Sequence, residues 1–277
     1  MNELISNLPF RDYVLRDGVN ASLIGELAKS PLHAKTYLDE ILKSPPEPKV
    51  HFRMGTITHR LVLEPGAPLD DMAVKPEGLD GRSKEGREWL GLHRGQLILS
   101  QDEWRACIGM ADSILMHPVC RRLFEEGDSE QSLFADYLVQ QPKLEGIVQR
   151  KSRVDHLPKG NVLVDIKTIG RDASVNNFEK AIWDWKYYVR ASFYLDVATA
   201  LGIPKSVFIY VAVEKDAPYG VRVFQLKTDA VDAGRTEYQE MLALWHKCQS
   251  ENQWPGYPQA IKLVSLPNWA WKQTKAQ

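Results

Sequence analysis

The feature that most narrows the fold is the stretch from 152 to 168, "SRVDHLPKGNVLVDIKT". Two runs rich in Val, Leu and Ile flank Pro158-Lys159-Gly160-Asn161, a tight turn, so the chain reverses there and pairs the runs as a β-hairpin. Three more strand candidates, 132–139, 206–213 and 220–228, surround it. Upstream of residue 131 the apolar period is helical instead, over 23–42 with a break at Ser30-Pro31, over 51–65 up to Pro65, and over 82–95 and 100–118. Ser100 with Glu103 three residues on forms a capping box for the last of these. "KSPPEPK" at 43–49 and the Gly/Pro-rich stretch 66–80 read as connections, and helices are expected at 174–183, 186–201 and 229–250. The expectation is one α/β domain over 1–277, a central mixed β-sheet flanked by helices, with a mainly helical N-terminal portion (1–125) and an α/β core (130–277).

Within the hairpin, alternation of side chains puts Asp165 and Lys167 on one side of the pleat in an otherwise apolar strand. Either the two neutralise each other at a strand end or they act together on something. Asp155, on the strand before the turn, can converge with them at one edge of the sheet. Two carboxylates and the Ile166 carbonyl between the acid and the amine make an oxygen-rich set suited to Mg²⁺ or Mn²⁺. Lys167 can then orient or help deprotonate a water, or balance charge developing on a phosphate. The acid-x-Lys triplet alone is common by chance. A surface ion pair, worth ~0–1 kcal/mol, fits poorly with an apolar strand that faces a second acid across a hairpin.

Bulk properties limit the alternatives. A net charge of −1 gives no global reason to suspect nucleic acid. Locally, residues 143–190 hold ten Lys/Arg against six acids, around the strand in question. Cys107, Cys120 and Cys248 lie far apart, against a disulfide framework, a zinc knuckle or a cysteine-held iron–sulfur cluster. No apolar run reaches the length of a membrane span and the N-terminus lacks the plan of a signal peptide, so a cytoplasmic location is expected.

The pattern D-x(9)-D-I-K, Asp155 to Lys167, resembles the PD-(D/E)XK nuclease superfamily, and more closely the RecE-type (exonuclease VIII) phage and prophage exonucleases. "VDIKTIGRDASVNNFEKAIWDWKYYVRASFY" and "IKLVSLPNWA" also look like segments of that family. Where the superfamily name has a proline, Val154 stands. "GTITH" resembles the G-x-x-x-H/E segment of RecB-like and phage exonucleases, which implies His59 as a further metal ligand beside Asp155, Asp165 and Ile166. "LRDGVNASLIGEL" is similar to the arginine-turn-serine stretch of lambda exonuclease, implying that Arg16 and Ser22 hold a 5′-phosphate. The family commonly carries Gln-x-x-x-Tyr on the helix after the site; Tyr194 is present, but Arg190 replaces the glutamine and either binds the scissile-strand phosphate, repels a metal or marks altered activity. Trp183, Trp185, Tyr187 and Tyr188 read as core and interface packing, with a ring wedging the duplex end as the other reading.

The resemblance implies a PD-(D/E)XK fold and a Mg²⁺-dependent 5′→3′ exonuclease on linear double-stranded DNA, with Mn²⁺ able to substitute. It implies 3′ single-stranded tails for homologous recombination, a RecT- or Bet-like single-strand annealing protein as partner, and a ring-shaped homo-oligomer. The alternatives are a catalytically silent DNA-end-binding protein and a PD-(D/E)XK endonuclease of restriction or repair type.

Overall fold

The computed structural model describes residues 2–44 and 53–266. Its organising element is a six-stranded sheet in the order β1-β4-β5-β6-β7-β8. The strands are β1 (Glu3–Ile5), β4 (Gly127–Gln141), β5 (Leu144–Pro158), β6 (Val162–Ile169), β7 (Val207–Glu214) and β8 (Val221–Gln225). All neighbours run antiparallel except β6 and β7, which are parallel over Val162–Ile169 and Val207–Glu214. The parallel step requires a crossover, and α8 (Val175–Asp184) with α9 (Tyr187–Ala200) supplies it.

The predicted hairpin forms, with Gly160 at φ 85° in its turn. Its strands are interior, however, and not at an edge of the sheet as the sequence suggested. The edges are β1 and β8. β1 lies in the portion expected to be mainly helical and pairs Glu3–Ile5 with Phe134–Ser132. Two more strands of that portion, β2 (Met72–Val74) and β3 (Leu97–Leu99), pair with each other in a separate small sheet, so the stretch 66–80 is not wholly a connection.

Helices α1 (Phe10–Leu15), α2 (Ala21–Leu27), α3 (Pro31–Lys43), α4 (Arg53–Leu63), α5 (Lys84–Leu92), α6 (Gln101–Met116), α7 (Pro118–Phe124) and α10 (Thr228–Glu251) complete the described chain. Ser30 caps α3 through its hydroxyl and Pro31 opens it, which explains the break in the helical period. The Ser100–Glu103 capping box forms at the start of α6. The connection expected at 43–49 and the end of the family-like segment 261–270 extend beyond the described residues.

The sheet is covered on both faces. On one, Leu163, Phe208 and Tyr210 pack with α2, α9 and α10 residues such as Ile24, Phe193 and Leu242. On the other, Val164, Ile166, Val211 and Val213 meet Ile57 of α4 and Met110 and Ile114 of α6. Fully burying a side chain of this size contributes roughly 1.5–3 kcal/mol, so both layers hold β6 and β7 in place. The helix pair α9/α10 comes especially close: a Cβ on Gly234 would sit 2.3 Å from the Tyr188 carbonyl oxygen, so only glycine admits that approach. Arg235 and Tyr238 of α10 both bond Asp196, at 2.7 and 2.6 Å, which fixes the rotation of α9 about its axis. Burial pushes the Cys107 thiol up to about 11 and the Cys120 thiol up to about 12, so both stay protonated in their cores.

Candidate active site

The alternation of β6 answers what an acid and an amine do in an apolar strand. Val164 and Ile166 face α4 and α6, so Asp165 and Lys167 face the opposite layer, towards α9. Asp165 is 2% exposed and forms an ion pair with Lys167. The Lys167 ammonium also donates to the Ile166 carbonyl at 3.3 Å and lies over the rings of Tyr187 and Tyr210, at 5.5 and 5.8 Å. Burial holds the Asp165 carboxyl above the usual carboxylate range; Lys167 and Arg190 oppose that shift and the Asp155 charge reinforces it.

β5 and β6 part soon after their turn. Their register places His156 opposite Val164, and two residues further along β6 the Ile166 N–H donates to the Asp155 carboxylate at 2.8 Å. Asp155 therefore closes the gap between the strands with a side chain where a carbonyl would otherwise accept. Its Oδ2 also lies 3.5 Å from Nδ1 of His59 on α4. α4 reaches this position because Gly55, one turn before His59, lies against Thr168 of β6; a Cβ there would sit 3.1 Å from the threonine hydroxyl.

The third member of this cluster was not legible in the sequence. His59, Glu130 and Asp155 each offer a ligand atom within 4.8 Å of the others. Glu130 belongs to β4, where Ser129 pairs with His156 and Gln131 with Val154, so it stands opposite Asp155. Its backbone is left-handed, φ 53°, an uncommon state for a residue other than glycine within a strand. Burial raises the Glu130 carboxyl above its ordinary value and the Asp155 charge adds to this, with Arg153 and His59 pulling the other way. Arg153 pairs with Glu130 and donates to the Leu8 carbonyl at 2.6 Å. Two carboxylates and an imidazole are a donor set that fits Mg²⁺ or Mn²⁺, and a cation would offset both the burial that raises the Glu130 carboxyl and the Asp155 repulsion that adds to it. Asp165 and the Ile166 carbonyl lie beside this set, both engaged by Lys167.

From α9, Arg190 and Tyr194 approach the same place one turn apart. Burial disfavours the Arg190 charge, but the Tyr194 phenol and the Asp165 carboxylate more than offset it, so the guanidinium stays charged among phenols and acids. Burial pushes the Tyr194 and Tyr187 phenols up to about 12, so both serve as neutral hydroxyls. A cleft of about 770 Å³ opens over these groups, lined by His59, Lys167, Arg190, Arg171, Lys215 and Trp185 among others. Of the aromatic cluster read as packing, Tyr188 is buried, but Trp183 and Trp185 are 67% and 72% exposed. Arg16 is placed on the sheet's flank, ion-paired with Glu3 at 2.7 Å and stacked 4.4 Å over the Phe134 ring. Ser22 is the second residue of α2, whose cap is the side chain of Asn20.

No curated protein sequence matches the chain. Among solved structures, a candidate exonuclease from Eubacterium rectale superposes with a TM-score of 0.59 at 12% identity, covering 98% of this chain and 99% of that one. That likeness is one of fold, and it matches the mixed α/β architecture described above. The protein SSO0001 aligns over 69% of this chain and 85% of its own, at 11% identity and a TM-score of 0.29. A sequence model of the family DUF3799, described as a PDDEXK-like domain of unknown function, matches residues 20–267, and the chain belongs to that family.

Proposed function

We propose that the protein is a divalent-metal-dependent deoxyribonuclease, and that it degrades linear duplex DNA from 5′ ends to leave 3′ single-stranded tails. The observation that carries this reading is the Asp165–Lys167 pair set beside the His59, Glu130 and Asp155 donors, with His59, Ile166 and Lys167 lining a cationic cleft. The PDDEXK-like family and the fold shared with a candidate exonuclease support a nuclease. His59, Glu130 and Asp155 would hold the cation, with Asp165 alongside. When bound, a divalent ion there lowers the pKa of a water and polarises a phosphoryl oxygen. Lys167 places a positive charge where negative charge develops on the phosphate, and Arg190 adds a second, fixed by α9 before substrate arrives. Tyr187 and Tyr194 remain protonated beside that arginine.

The 5′→3′ polarity, the recombination role, a single-strand annealing partner and a ring-shaped oligomer rest on the resemblance of residues 155–194 to RecE-type exonucleases. Arg16 and Ser22 would take the terminal phosphate, for which Arg16 exchanges Glu3 for the ligand. Digestion of linear duplexes labelled at one 5′ or one 3′ end, with Mg²⁺, Mn²⁺, Ca²⁺ or chelator, tests the reading. Release of the 5′ label first, with Mg²⁺ or Mn²⁺ and not with Ca²⁺, is expected. Nicking of closed circular DNA would make the enzyme an endonuclease. Binding of ends without hydrolysis under any of these ions would make it an end-binding protein.

A further inference from the structure

Trp185 closes α8: its N–H bonds the Ala181 carbonyl at 3.0 Å, and the next residue, Lys186, turns the chain through a left-handed conformation into α9. The indole therefore stands on a fixed corner, not on a loop. It is 72% exposed at the mouth of the cleft that holds His59, Lys167 and Arg190. Trp183, two residues earlier and almost as exposed, is already occupied. Its ring lies parallel to Tyr188, centroids 6.0 Å apart, and the Lys186 ammonium sits 4.7 Å over its face. Among the described residues the Trp185 ring has neither an aromatic nor a cationic partner of this kind. A single exposed apolar side chain needs no explanation. This one rims a cleft with Arg171 and Lys215, and cations around an unoccupied aromatic face are the combination that takes a phosphate backbone and stacks its bases.

We propose that Trp185 is a positioning residue that stacks on an unpaired nucleobase of the strand held in the cleft, keeping the adjacent phosphate at Lys167. The inference rests on the nuclease reading for its substrate class, but its decisive measurement does not need hydrolysis. A flat ring recognises every base by its π-face, so the contact sets affinity and register and not sequence. A base inside a duplex has both faces covered by its neighbours, so the base that meets Trp185 is unpaired or stands at the end of the strand.

The test compares a short fluorescent thymidine oligomer with a wholly abasic oligomer of the same length, by anisotropy in chelator. The wild type should bind the thymidine oligomer more tightly. Trp185→Ala should lose about tenfold on it, as expected for one stacked base, and nothing on the abasic chain. Trp185→Tyr should restore most of the loss, and Trp183→Ala should match the wild type on both. Under turnover with Mn²⁺, Trp185→Ala should raise KM and lower kcat for the thymidine oligomer, because its phosphate is no longer held at Lys167, and the same substitution should change neither for the abasic oligomer, which has no ring to stack. A wild type indifferent to bases, or a Trp185→Ala loss equal on both oligomers, would overturn the proposal while leaving any observed hydrolysis standing. Failure of the wild type to hydrolyse DNA with any divalent ion would instead remove the nuclease reading, and the binding comparison would still decide the stacking.

Discussion

In the proposed reaction, Asp165 and Lys167 divide the work between charge and position. Asp165 is buried, so its carboxylate depends on Lys167 and Arg190 to remain ionised. Lys167→Ala should therefore remove the cation proposed to act on the phosphate and raise the Asp165 carboxyl further. Both Lys167→Ala and Asp165→Ala are expected to lower DNA hydrolysis by about 10²-fold or more, with circular dichroism unchanged. Near-normal turnover in a folded Asp165→Ala protein would remove the acid from the mechanism. Glu130 makes a sharper test, because it crowds Asp155 and is one of the three groups placed to hold a cation. Glu130→Gln relieves like-charge repulsion and can still accept from Arg153, so in chelator its Tm should not fall. In Mn²⁺ titrations by calorimetry its affinity should fall about tenfold or more. A lowered Tm with unchanged Mn²⁺ affinity would make Glu130 a structural partner of Arg153 and nothing more.

At the scale of elements, much was legible because the hairpin, the long helices and the capping box each carry a local signal. The acid-amine side of β6 followed from alternation alone. Glu130 did not, because the β4 pattern is recognisable only from Ser132 onward and the residue's left-handed backbone interrupts the ladder. Only the register of β4 on β5 brings it to Asp155. β1, β2 and β3 are three residues each, too short to show a period. Nor could local pattern tell Trp185 from Tyr188, since the left-handed turn at Lys186 decides which ring faces solvent.

One element is held by a buried amine. Lys151 of β5 donates to the carbonyls of Tyr13 at 3.3 Å, Val14 at 2.9 Å and Arg16, closing the C-terminal end of α1. Burial pulls its pKa down from 10.5 to about 8. Between those values the unfolded chain holds the extra proton, so stability rises with pH across the window and the gain is absent below pH 8. Cys107 and Cys120, whose thiols are held protonated, cost stability over the same range, but they do so alike with and without Lys151. In urea unfolding at about pH 7.5 and 9.5 the wild type should therefore gain on the order of 1–3 kcal/mol relative to Lys151→Met. Lys151→Met should lack that gain. It should also be less stable by about 1–3 kcal/mol at the lower pH, because carbonyls are left unpaired. An equal pH response in the two proteins would show that Lys151 is charged and solvated.

For the whole molecule, the proposed function asks how a chain of net charge −1 would engage a polyanion. Its surface has no general excess of cations, so affinity must come from the cleft, whose lining includes Lys167, Arg171, Arg190 and Lys215 against Asp172. Lys167 is paired with Asp165, and Arg190 lies among phenols and acids. Arg171 and Lys215 take part in no ion pair found among the described residues, so they are the groups free to displace counterions from phosphates. Each phosphate neutralised contributes about −0.9 to the slope of log K against log salt on duplex DNA, so a slope of about −2 to −4 is expected. Arg171→Ala and Lys215→Ala should each flatten that slope by about 1, with little dependence on sequence. Lys29→Ala should not, since that exposed amine is paired with Glu26 at 2.7 Å on α2's side of the molecule. These slopes are read from duplex binding in Ca²⁺ over a series of salt concentrations. A slope that neither cleft variant changes would place the DNA on another surface, and Lys167 and Arg190 would then serve only to oppose the burial of Asp165.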